Sequence, residues 1–196
     1  VVVDFSSAEG AMAAIRTATK KRINVVIGTT GLKESDLAEA KKLAESNKVG
    51  VFIAPNFAVG AVLLMHLARI AGKHFDYADL VETHHEMKID APSGTALAIA
   101  RAAAEGRDRP FLTNKAEKET LPGTRGGTLH GVSVHSARMP GRVAHHELVF
   151  GGLGQTLSIR HDSISRESFM PGVVAAVKYI VAHPGLTVGL EKVLGL

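Results

Sequence analysis

Three short apolar runs alternate with two helical stretches at the start of the chain, and this alternation constrains the fold more than any other feature. Val1–Phe5, Asn24–Ile27 and Val49–Ala54 are rich in Val, Ile and Phe and show little polar alternation. That texture belongs to strands buried on both faces. Ala8–Lys20 reads as a helix, with Ser6 and Ser7 as N-cap candidates. Ser35–Ser46 reads as a second, with a polar outer face that includes Asp36, Glu39, Lys41, Lys42 and Glu45. Strands and helices joined this closely build a parallel sheet with right-handed crossovers.

The texture then changes. Phe57–Ala71 reads as a strongly apolar helix, Ala78–His84 as a strand and Gly94–Glu105 as an Ala-rich helix. Arg107–Gly127 is polar and reads as a long surface loop. Gly131–Arg138, Val143–Phe150 and Gln155–Asp162 read as strands, the last two joined by a Gly-rich hairpin at 151–154. Phe169–Ala182 reads as a closing helix. The expected class is α/β: a parallel-sheet domain followed by an α+β domain with a mixed or antiparallel sheet.

Composition removes several classes of function. With 45% hydrophobic and 21% charged residues, the chain is not disordered. The net charge of +4 comes with only 5% aromatics and no Trp, so no stacking platform for nucleic acid is expected. The absence of Cys excludes disulfides and thiolate chemistry and fits a reducing compartment. No apolar run approaches the roughly 18–20 residues of a membrane span. The chain opens directly on a strand-like run without Met, which predicts a further segment upstream.

The chemistry is concentrated between residues 82 and 95, where a strand gives way to a helix. Ser93 is placed to cap that helix, and its first turn, at Gly94 and Thr95, would offer N–H groups without an intrahelical partner and a positive dipole end. An anion suits such a place. Lys88 adds a full positive charge nearby. His84 and His85 bring side chains that exchange protons near neutral pH. As strand neighbours they point to opposite faces, so they do not share a metal. Taken singly, each feature is a plain helix start, a solvated lysine or a structural histidine. Together they describe a positive pocket with a proton donor, suited to a small anionic substrate. A second pair, His145-His146, lies in a later strand. There is no HExxH and no compact ligand spacing, so no metal is expected.

Thr83-His84-His85 through Lys88, followed by Asp90-Ala91-Pro92-Ser93-Gly94-Thr95-Ala96, resembles the signature of the dihydrodipicolinate reductases. Gly28-Thr29-Thr30-Gly31 and Ala54-Pro55-Asn56-Phe57 resemble that family's two nicotinamide-side loops. Arg138-Met139-Pro140-Gly141 to Glu147, and Arg160-His161-Asp162-Ser163 to Gly172, resemble its C-terminal strands and return helix. The resemblance covers essentially the whole chain. It implies a partial Rossmann-like domain over residues 1–56, a substrate-binding and oligomerisation domain over 57–166, and a helix over 167–196 that returns to the first. It implies reduction of a cyclic imine dicarboxylate, 4-hydroxy-tetrahydrodipicolinate, by NADPH or NADH in lysine and diaminopimelate biosynthesis. A cytoplasmic homotetramer is implied as well. By the same resemblance His84 is the proton donor, Lys88 a second donor, and His85, Ser93, Gly94 and Thr95 hold the substrate. Gly28, Thr29, Thr30, Ala54, Pro55, Asn56 and Phe57 face the cofactor. The roles of His145, His146 and Arg166 stay open.

The sequence departs from the family at one point: no GxGxxG occurs, and Val1 matches a middle strand of the nucleotide domain. The segment with the phosphate loop is therefore expected to be missing. Two other readings compete. In one, the chain is a truncated fragment that oligomerises and binds dicarboxylate without turnover. In the other, a different nucleotide-dependent oxidoreductase of similar layout acts on another small acid.

Overall fold

The computed structural model describes residues 1–114 and 116–196. These form two compact units, Val1–Val62 with Glu167–Leu196, and Leu63–Arg166. Lys115, within the polar stretch read as a loop, lies outside the described residues.

The first unit holds strands β1 (Val2–Asp4), β2 (Val25–Ile27), β3 (Gly50–Ile53) and β9 (Gly185–Val188), all parallel and in the order β1-β2-β3-β9. Helices α1 (Ala8–Lys20) and α2 (Glu34–Asn47) connect the first three strands. Ser7 is the residue that caps α1, its hydroxyl accepting from the Gly10 N–H at 3.1 Å. One face of the sheet packs Val25, Ile27, Val51 and Ile53 against Ala11, Met12, Ile15, Ala40 and Ala44 of these helices. The alternate residue Phe52 meets Tyr179 of α5 (Met170–Ala182), with ring centroids 6.3 Å apart. Burial on both faces is why β2 and β3 carry no polar alternation.

The first strand corrects the expectation of a buried Val1–Phe5. β1 is an edge strand, and Val1, Val3 and Phe5 are about half exposed. At the other edge, β9 was not foreseen. It is four residues long, and its pairing with β3 (Gly50↔Gly185, Ile53↔Val188) joins distant parts of the chain. A short helix, α6 (Glu191–Leu194), follows it and was also not foreseen.

The second unit has a mixed five-stranded sheet in the order β5-β6-β4-β7-β8. Its strands are β4 (Tyr77–His84), β5 (Gly127–Leu129), β6 (Val132–Arg138), β7 (Ala144–Gly152) and β8 (Gln155–Ser163). β4 and β6 run parallel and every other pair is antiparallel. The stretch read as loop through Gly127 therefore ends in β5, a three-residue edge strand too short to leave a signal. Helix α3 (Val59–Ala71), within which the division between the units falls, and helix α4 (Gly94–Ala104) bring Leu64, Ala68, Ala96, Ile99 and Ala103 onto Leu80, Val134, Leu148 and Phe150. The opposite sheet face leaves Tyr77 and Val81 exposed. Among the described residues no helix is long and apolar enough to cross a membrane.

Ile99 is fully buried on the core side of α4, the helix whose first turn holds the candidate site residues Gly94 and Thr95. Ile99→Ala is expected to destabilise the chain by about 2–5 kcal/mol through lost contacts and the cavity left behind. Urea unfolding checks this: the midpoint falls while the slope stays near its original value. An unchanged midpoint would mean that α4 is not seated by this side chain.

Candidate functional site

One face of β4 changes character along its length. Ala78, Leu80, Glu82 and His84 alternate inward, and all four are buried. Ala78 and Leu80 lie opposite Phe150 and Leu148 of β7, completing the apolar core. Glu82 lies opposite His146 on β7 and Ser136 on β6, and His84 lies opposite Arg138 on β6. His161 on β8 continues the row beside His146. The inner face is thus apolar at one end of the strand and ionisable at the other, where the chain leaves for α4.

Glu82 is the centre of that polar end. Its side chain is wholly buried, and both oxygens are engaged. Oε2 bonds His84 Nδ1. Oε1 accepts from Arg138 Nη2 at 2.8 Å and, more weakly, from the Ser93 N–H at 3.4 Å. Arg138 also donates to the Asp90 carbonyl at 2.7 Å, tying β6 to the segment that precedes α4. Ser93 caps α4, its Oγ accepting from Ala96 N–H at 3.1 Å, and the same Oγ lies 3.3 Å from His146 Nε2. The His84 and His146 rings meet edge to face, with centroids 5.3 Å apart. Lys88 Nζ is 2.5 Å from Asp90 Oδ1, at the exposed rim. The space over the Gly94 backbone is open: a Cβ built there would meet nothing within 4 Å.

Electrostatics follow from this geometry. Burial pushes the Glu82 carboxyl up, but hydrogen bonds from Arg138, Ser136 and His84 outweigh it and hold the group below the usual carboxylate range. Burial pushes His84 down; the Glu82 bond and charge oppose this, while Lys88 and Arg138 add to it. His146 is lowered to about 4, chiefly by burial and then by the neighbouring His84. One atom each of Glu82, His84 and His146 lie within 4.8 Å of one another, close enough to share a cation. Arg138 already supplies a positive charge to the same carboxylate.

His84, Ser93, Gly94 and Thr95, singled out from the sequence, fall on one strand end and the helix start that follows it, with Lys88 on the segment between. His85 stands at the turn just beyond β4, half-buried. Glu82, Arg138 and His146 were missed as partners of His84. The available signal was the two-residue spacing of Glu82 and His84, which places them on one strand face. His145 points the other way, with its Nδ1 2.7 Å from Asp162 Oδ1.

In the first unit, Gly28-Thr29-Thr30-Gly31 follows β2 and Ala54–Phe57 follows β3, at the carboxyl ends of adjacent parallel strands. This is where nucleotides bind open parallel sheets. Ala54 N–H donates to the Ile27 carbonyl at 3.0 Å, which binds the two loops together. Thr29, Ala54 and Phe57 are buried, and the Phe57 ring packs on Phe5 with centroids 5.4 Å apart. Thr30, Pro55 and Asn56 form the accessible rim, with Asn56 Oδ1 accepting from Ala58 N–H at 2.9 Å. An uncharged rim of this kind fits a nicotinamide and its ribose better than a phosphate.

Because His146 resists protonation in the folded chain, acid is expected to destabilise it. Above pH 6.5 the imidazole is neutral in both states. Between pH 6.5 and about 4 the unfolded chain takes up a proton that the folded chain refuses, a difference on the order of 3 kcal/mol. Stability measured against pH should fall across that window, and His146→Gln should flatten the fall. An equally steep acid limb in the variant would contradict the assignment.

Comparison with known proteins agrees with this layout. Residues 1–57 match the family model for the N-terminus of dihydrodipicolinate reductase, and residues 60–194 match that for its C-terminus. A 4-hydroxy-tetrahydrodipicolinate reductase of Dehalococcoides mccartyi (strain CBDB1) is 47% identical over 196 residues, all of this chain and 74% of the relative. That of Moorella thermoacetica is 47% identical over 194 residues, 99% of this chain and 72% of the relative. The solved dipicolinate-bound dihydrodipicolinate reductase from Paenisporosarcina sp. TG-14 superposes with a TM-score of 0.87 at 40% identity, over 97% of this chain and 72% of that one. An amine dehydrogenase from Mycobacterium smegmatis, 14% identical with a TM-score of 0.55, shares the fold alone over 94% of this chain and 73% of that one. With both halves matched in order and close relatives along its whole length, the chain belongs to the dihydrodipicolinate reductase family.

Proposed function

We propose that this chain belongs to an NADPH- or NADH-dependent reductase that converts 4-hydroxy-tetrahydrodipicolinate to tetrahydrodipicolinate in lysine and diaminopimelate biosynthesis. The observation that carries the reading is a buried, carboxylate-bound imidazole, His84, on the strand that leads into the open first turn of α4. Dipicolinate in the Paenisporosarcina relative is a ring with two carboxylates. One carboxylate suits the N–H groups of Gly94 and Thr95, where the helix dipole favours negative charge. Lys88 is available for the other, since its rim-exposed pair with Asp90 is worth only about 0–1 kcal/mol. His85 and Ser93 complete the substrate contacts.

The nicotinamide cofactor, when bound, supplies a hydride. Gly28, Thr29 and Thr30 with Ala54, Pro55, Asn56 and Phe57 are the residues that would hold its nicotinamide end. The conversion also releases the 4-hydroxyl group as water; the ring that takes up the hydride then needs a proton, and His84 delivers it, with Lys88 as a second donor. Residues 1–56 form the nucleotide side and residues 57–166 the substrate and oligomerisation side. Residues 167–196 return to the nucleotide side, a reading supported by their place in the same compact unit as residues 1–62. The uncovered sheet face with Tyr77 and Val81 supports a homo-oligomer, a tetramer by family resemblance. The setting is the cytoplasm.

Substrate-dependent NADPH oxidation tests the reading: oxidation is expected, and none from a folded protein that still binds dipicolinate would favour dicarboxylate binding without turnover instead.

Within the reductase, His84→Ala is expected to lower turnover about 10²–10⁴-fold while leaving dipicolinate affinity largely intact. Lys88→Ala is expected to weaken dipicolinate binding about tenfold or more by removing a charge-assisted contact. Steady-state kinetics and calorimetry separate the two effects. Unchanged turnover in His84→Ala would remove the imidazole from the reaction.

A further inference from the structure

We propose that Glu82 is the positioning residue for proton transfer: its carboxylate, fixed by Arg138, holds the His84 imidazole with Nδ1 protonated and leaves Nε2 as the atom that exchanges the proton. The proposal rests on the reading of His84 as proton donor and adds a residue to it.

A glutamate is a costly choice at this position. The inner face of β4 is apolar through Leu80, and an ionised carboxylate without exposure is tolerated only when paired and hydrogen-bonded. Glu82 meets that condition in a particular way. One oxygen takes the Arg138 guanidinium, which neutralises it and fixes its orientation. The other takes His84 Nδ1. An ionised carboxylate only accepts, so Nδ1 must carry the hydrogen. The bond made by one ring nitrogen sets the tautomer of the other, so neutral His84 has its free lone pair on Nε2. Arg138 and Ser93 also tie the same carboxylate to the segment entering α4, so the imidazole and the helix start share one anchor.

The charged and titratable groups around His84 come from four segments. Glu82 lies on its own strand, Arg138 on β6, His146 on β7, and Lys88 with Asp90 on the stretch before α4. Arg138 and Lys88 disfavour the imidazolium, and His146 is neutral near pH 7. Glu82 favours it through both its bond and its charge. Removing that charge while keeping the shape should make His84 harder to protonate and release its tautomer. A proton donor must carry its proton, so a rate limited by His84 falls as pH rises through its titration. In Glu82→Gln that fall should move to lower pH.

The test uses histidine ¹⁵N NMR on the whole chain, with the His84 resonance identified by its loss in His84→Ala. The unaltered chain should show neutral His84 as the Nδ1–H tautomer, and an Nε2–H tautomer overturns the proposal without any variant. In Glu82→Gln the His84 midpoint should drop by about one pH unit or more. An unmoved midpoint and tautomer in the folded variant also overturn it. In the NADPH-supplied enzyme, Glu82→Gln should lower kcat about tenfold or more, with dipicolinate affinity changed less than about twofold. If His84→Ala abolishes turnover and Glu82→Gln keeps both kcat and its pH profile, the role of Glu82 falls and that of His84 stands. If His84→Ala retains turnover, both fall.

Discussion

The buried carboxylate of Glu82 is the constraint on which the candidate site depends. An unpaired charge there would be untenable, so the fold must bring Arg138 and His84 to it. The mixed sheet does so by register: β6 runs parallel to β4 and places Arg138 beside His84, while antiparallel β7 places His146 beside Glu82. The sheet therefore does two jobs with one face. Its apolar end seats α3 and α4, and its polar end meets the first turn of α4, where Ser93 is both helix cap and neighbour of His146. Rigid packing and ionisable chemistry are adjacent on the same strand, which keeps the reactive side chains from wandering.

Much of this was legible in the sequence, for identifiable reasons. α1 reads correctly from Ala8 to Lys20 because its apolar stripe is regular and Ser7 marks its start. β2 and β3 read correctly because burial on both faces makes them continuously apolar. The loops after them, and the helix opening at Gly94, are local features with local signals. What stayed hidden was set by partners distant in sequence. β9 is four residues defined by their pairing with β3. β1 looked buried because its composition matches a central strand, yet its place at the edge leaves Val3 open.

The same holds for the site. Glu82 belongs to a residue type that is usually solvated, and nothing local says otherwise. Its burial is made tolerable by Arg138, 56 positions away. His146 becomes a buried neutral imidazole because it faces Ser93, 53 positions away, and His84 across the strands. The sequence could place His84, the proposed proton donor, and the helix start proposed to bind an anion, which are near each other along the chain. It could not show what holds the donor still.

In the proposed function the start of α4, with Lys88 and His84, receives a small dicarboxylate. The most direct measurement is an amide NMR titration of the whole chain with dipicolinate. Saturable shifts are expected, centred on Gly94, Thr95 and Ala96, with perturbation of the His84 imidazole and little change at the exposed sheet face around Tyr77 and Val81. Saturable binding mapped elsewhere, or no shift at the first turn of α4 in a folded chain, would contradict it.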